Sequence, residues 1–155
     1  MKANFAEAVA AAGGDSTTLK FQEGDNNIRV LTNTVAHEFQ YDDGGKSTKF
    51  LCYVWEYASK ALKLAYLSKT VARKIAELQM DVQYGFQDMP MPYDLNIKTK
   101  NAGTKNAEYE VLPARSNTDV PQEAQDALAK EPSVEEALAN ILAEKDAPAT
   151  TSIPT

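Results

Sequence analysis

A chain of 155 residues with 43% hydrophobic content suits one domain around one core, and no stretch approaches the roughly 20 consecutive apolar residues of a membrane span. One cysteine, Cys52, excludes an internal disulfide, and one histidine, His37, leaves too few soft ligands for a zinc finger or ribbon. The formal net charge of −6 is unevenly spread: Thr118 to Thr155 holds eight acids against two bases, whereas Gly44 to Lys105 holds ten bases against five acids.

Met1 to Gly14 lacks the basic, strongly apolar layout of a signal peptide, which predicts a cytoplasmic protein. Asn4 to Ala12 is alanine-rich and reads as a short helix stopped by Gly13-Gly14. Leu19-Lys20-Phe21-Gln22 alternates, breaks at Glu23-Gly24-Asp25 and resumes as Ile28-Arg29-Val30-Leu31, which predicts one long strand bent or bulged at Gly24. Thr34 to Ser47 reads as a loop containing His37, with Asp42-Asp43-Gly44-Gly45 as its turn.

Lys49 to Tyr57 accumulates Val, Tyr, Trp and Phe, a strand composition. A polar turn at Ala58 to Ala61 then joins it to Leu62–Leu67 as a hairpin. Ser68 stands as N-cap to a helix whose apolar face is Val71, Ile75 and Leu78, ending near Gln79. After a loop with Pro90 and Pro92, Tyr93 to Lys98 alternates strictly, Asn101 to Asn106 supplies turn residues, and Tyr109-Glu110-Val111-Leu112 closes at Pro113.

Three strands, a helix and two strands is the connectivity of the OB-fold, a small Greek-key barrel. The expected architecture is mainly β: a five-stranded OB-fold barrel over 19–117 with a helix between strands 3 and 4, an N-terminal arm over 1–18, and an acidic helical tail over 118–155. A cold-shock-like barrel lacks that helix, and a ferredoxin-like fold leaves the N-terminal half unexplained.

Alternate strand residues share a face, so Lys49, Leu51, Tyr53, Trp55 and Tyr57 point one way while Phe50, Cys52 and Val54 point into the barrel. Exposed rings can stack on nucleic-acid bases, which makes Tyr53, Trp55 and Tyr57 candidates, with Lys49, Lys60 and Lys63 beside them. Trp55 serves equally well as barrel filling, and Tyr66 depends on the hairpin register. Cys52 reads as a small buried apolar residue. Outward Arg29 and, on the fourth strand, Lys98 and Lys100 extend the basic set, as does the helix with Lys69, Arg73 and Lys74.

Pro121 to Lys130 and Pro132 to Lys145 read as two helices, the second opened by a capping box, Ser133 with Glu136. Its stripe of Val134, Leu138, Ile141 and Leu142 suits either packing on the chain's own barrel or docking to a partner. Ala149 to Thr155 has no core-forming content and reads as disordered. No Gly-rich phosphate loop or nucleophile motif is present, so the chain does not read as an enzyme, and no cofactor is expected.

Leu19 to Leu31, Tyr93 to Lys98 and the run Ala107-Glu108-Tyr109-Glu110-Val111-Leu112-Pro113 together resemble the OB-fold single-stranded-DNA-binding proteins of tailed bacteriophages, over residues 19–115. The resemblance implies a protein that coats transient single strands in phage replication, recombination or repair in the host cytoplasm. It also implies an acidic tail that recruits replication or recombination proteins. Some phage proteins of this kind carry a zinc subdomain; with only Cys52 and His37, zinc is not carried over. The competing expectation is an OB-fold that serves protein interaction or virion assembly without nucleic acid, and a third is an oligosaccharide-binding barrel, which leaves the clustered lysines unexplained.

Overall fold

The computed structural model describes residues 18–40 and 44–146, without the side chains of 144–146. The helix expected over Asn4–Ala12 and the terminal Ala149–Thr155 lie outside these residues. In chain order the elements are β1 (Asn27–Val30), β2 (Val35–Gln40), β3 (Lys46–Glu56), β4 (Ala61–Leu67), α1 (Lys69–Gln79), β5 (Leu95–Lys100), β6 (Glu108–Pro113), α2 (Gln122–Ala129) and α3 (Val134–Asp146).

All strand pairs are antiparallel, in one open six-stranded sheet. β3, eleven residues long, organises it. Its Phe50–Glu56 stretch pairs with β4 along one edge. Along the opposite edge it takes β2 at Lys46–Leu51 and β1 at Val54–Glu56. β1 and β2 thus behave as one strand that slips register at Leu31–Thr34. β1 also pairs with β5, and β5 with β6, giving the order β4, β3, β1, β5, β6.

Three expectations are corrected. The sheet does not close as a five-stranded barrel: among the described residues no ladder joins β4 to β6. Leu19–Gln22 is not a strand; Leu19 N–H donates to the Leu64 carbonyl and Leu19 and Phe21 pack on the core, while single bridges flank the stretch, Thr18 to Leu64 and Gly24 to Thr99. The cause is the Gln22–Asn26 loop, in which the buried Asn26 amide donates to the Gln22, Gly24 and Ile97 carbonyls and its Oδ1 accepts from Gln22 N–H, so a side chain replaces a ladder. Gly24 turns there at φ 89°. Finally, Val35–Gln40 is a strand, not a loop, and His37 lies on it opposite Lys49.

The inner face of the sheet gathers Ile28, Val30, Cys52, Val54, Ala65 and Leu67 with Leu95 and Ile97. α1 seals it with Val71, supported by Ile75 and Leu78. Ser68 caps this helix, its hydroxyl accepting from Val71 N–H at 3.3 Å, a contact whose loss ordinarily costs about 1 kcal/mol. Cys52 has no exposed surface, and burial pushes its thiol up to about 12.

The outer face is also covered. Val134, Ala137 and Leu138 of α3 lie over Phe39, Leu51, Tyr53 and Leu64, and Ala124 of α2 lies over Leu31 and Trp55. Ser133 and Glu136 form the expected capping box at the start of α3. No described helix is long and apolar enough to cross a membrane.

Candidate nucleic-acid interface

The β3–β4 register places Tyr66 opposite Leu51 and Leu62 opposite Trp55, so Lys49, Tyr53, Trp55 and Tyr66 share the outer face. The expectation of an open stacking face is corrected by their burial: Tyr53 and Trp55 are each 5% exposed. The strand pattern gave the face correctly, but the apolar sides of α2 and α3 occupy it. Tyr66 is half-buried, its ring 5.9 Å from that of Phe39. The Tyr53 hydroxyl is held above its ordinary value by burial and then by Glu131 and Glu136, which places tail acids beside this face.

Arg29 does point away from the inner core, as expected, but it is fully buried instead of solvent-facing. Its Nε donates to Asp94 Oδ1 at 2.7 Å, its Nη1 to the Met91 and Thr118 carbonyls, and its Nη2 to the Thr118 hydroxyl. Tyr57, just past β3, donates its hydroxyl to the same Asp94 oxygen at 2.6 Å and is half-buried. Arg29 fastens the chain near Thr118 to the sheet and has no exposed surface, while Tyr57 is tied to Asp94 and keeps part of its ring exposed. The stripe of Val134, Leu138, Ile141 and Leu142 packs on this chain's own strands, the first of the two arrangements open to it.

The remaining candidates scatter. Lys98 and Lys100 are exposed on β5, each directly across from an acid on β6, Glu110 and Glu108. Lys60 stands exposed in the β3–β4 turn at φ 52°, and half-buried Lys63 lies opposite Val54. Lys74 is engaged, donating to the Tyr109 carbonyl. Lys46, Lys60, Lys69, Arg73, Lys98, Lys100 and Lys105 are exposed, and none has an ion-pair partner among the described residues.

One concavity stands open beside these cations. α1, the Thr32–Thr34 bend and the Phe86–Met91 loop enclose a cleft of about 420 Å³ with Phe50 and Phe86 in its wall and Lys69 and Arg73 on its rim. Arg73 was a candidate from sequence; Phe50 read only as barrel interior, and Phe86 carried no signal because it lies in an irregular loop. Among the described residues no group of His, Cys, Asp and Glu gathers to hold a metal ion. Comparison with known proteins identifies nothing further: no family model, curated protein or solved structure matches the chain.

Proposed function

We propose that this protein binds single-stranded DNA without sequence preference, in the phage DNA replication, recombination or repair that its resemblance implies. The observation that carries the proposal is the set of exposed cations between Lys46 and Lys105 that have no ion-pair partner among the described residues, on a chain that is acidic overall. Exposed cations without an ion-pair partner on an otherwise acidic protein suit a polyanion, because each phosphate contact releases condensed counterions. The strand connectivity supports it. With β1 and β2 counted as one bent strand, the order β4, β3, β1, β5, β6 and the helix between β4 and β5 follow the OB-fold path, short of its closing ladder.

A titration of labelled oligothymidine at low and moderate salt tests this. Binding that weakens steeply with salt and resists duplex competitor is expected; absent binding, salt-insensitive binding or a preference for duplex overturns it. A second function, as a protein-interaction or virion-assembly module, is favoured by one observation: α2 and α3 already occupy the β3–β4 face on which OB barrels ordinarily bind oligonucleotides. The same titration separates the two.

A further inference from the structure

The cleft beside α1 differs from the rest of the surface in combining apolar depth with one sign of charge. Its floor is Val30, Leu67 and Met91, all buried, and the Phe50 and Phe86 rings are half-buried in its wall. Lys69 and Arg73, one helical turn apart on α1, stand on the same rim. Among the described residues no carboxylate lines it. At about 420 Å³ it lies within the range of small-molecule sites. Asn33, Gln79 and Gln87 add amide groups, each offering a donor and an acceptor.

An apolar wall with aromatic rings calls for a flat, apolar-faced body. Two neighbouring cations with no carboxylate call for an anion attached to it, and amides suit the edge of a heterocycle. We propose that this cleft takes one unpaired nucleotide of a bound single strand, its base against Phe50 and Phe86 and its phosphate on Lys69 and Arg73. The inference rests on the proposed single-strand binding and deepens it: the primary contact is then on the α1 side of the sheet, opposite the covered aromatic face.

The test uses the full chain and labelled oligothymidine, with two variants that alter different parts of the cleft. Lys69→Ser with Arg73→Ser removes the cations from exposed positions. It is expected to weaken binding about tenfold at low salt and to flatten the salt dependence by roughly 0.7 to 1.4 in log–log slope, the share of one or two phosphates. Ala76→Phe, from an exposed position on the lining, fills the cleft and is expected to weaken binding with the salt slope unchanged. An oligomer carrying one 4-thiothymidine is expected to photo-crosslink to peptides containing Phe50 or Phe86. Circular dichroism melts confirm that both variants fold. If the unaltered protein binds oligothymidine while both variants bind equally well, or crosslinks map elsewhere, the cleft assignment is overturned and the proposed function stands. If the unaltered protein does not bind, both fall. Displacement of the oligomer by polyglutamate as effectively as by unlabelled oligothymidine overturns the nucleotide in favour of an acidic peptide.

Discussion

Arg29 and Asp94 form an ion pair at 2.7 Å in which the guanidinium has no exposed surface while the carboxylate keeps 33% of its own. The guanidinium is further held by the Met91 and Thr118 carbonyls, so two stretches distant from Arg29 in sequence, Met91–Asp94 and Thr118, meet on one cation. Asp94→Asn would leave this buried charge without its counterion. The expected cost is about 3 kcal/mol, the low end for breaking a buried pair because water reaches Asp94. Guanidinium-chloride unfolding measures it; a loss under about 1 kcal/mol would put the pair in the class of surface salt bridges.

The Tyr57 hydroxyl shares that Asp94 oxygen, and its proton is held to about 12 by burial, by the hydrogen bond to Asp94 and by the Asp94 charge, with Arg29 opposing. The folded protein therefore keeps a proton that the unfolded chain releases near pH 10. Stability linked to Tyr57 is complete below pH 10 and falls as pH rises toward 12. Cys52, raised from 9.0 to about 12, adds a loss that begins about one unit lower. Tyr57→Phe is expected to lower stability at neutral pH by about 1 kcal/mol and to flatten the alkaline decline. An unchanged alkaline profile in the variant would contradict the assignment.

Tyr53 and Trp55 lie beneath α3 and α2, so their removal is expected to destabilise the fold and not merely to weaken ligand binding. Trp55→Ala empties a buried site and is expected to cost about 3 to 5 kcal/mol, with Tyr53→Ala at or just under the low end. Thermal melts check this. A variant that melts like the unaltered protein would mean that the ring is not part of the packed outer face.

Local signals carried much of the fold. The β3–β4 hairpin, the Ser68 cap, the Ser133–Glu136 box and the alternation of Leu95 and Ile97 are each written within a few residues, and each occurs where the pattern puts it. β2 was also legible, since Val35, His37 and Phe39 alternate with Ala36, Glu38 and Gln40, but turn-forming neighbours masked it. Non-local partners were not. Nothing near Arg29 announces Asp94, 65 positions away, or Thr118, 89 away, so an outward arginine read as a solvent-facing one. The outer strip of β3 reads as a mixed aromatic and basic face and the stripe of α3 as an apolar one; period alone does not say that they cover each other. The cleft is built from a bend, a helix and an irregular loop, and no single segment signals it.

The relation of the tail to the aromatic face leads to the last prediction, in which truncation after Val120 tightens single-strand binding at low salt. The cut belongs after Val120 because Thr118 holds Arg29 and Val120 packs beside Trp55, so removing either would disturb the sheet itself. Beyond Val120 the chain carries seven acids against two bases. Among those acids, Glu131 and Glu136 act electrostatically on Tyr53. Their removal lowers the repulsion that any approaching phosphate meets, and it uncovers Tyr53, Trp55 and Tyr66 for stacking. Trp55, the one tryptophan, reports the uncovering directly, with its emission expected to shift to longer wavelength. Circular dichroism must first establish that the truncated sheet folds, since the helices also contribute buried apolar surface. The gain in affinity is expected to shrink as salt rises, because the repulsive part of the effect is screened over about 10 Å at 0.1 M. A folded truncation with red-shifted Trp55 that binds no better at low salt would show that α2 and α3 serve only as the outer layer of the core.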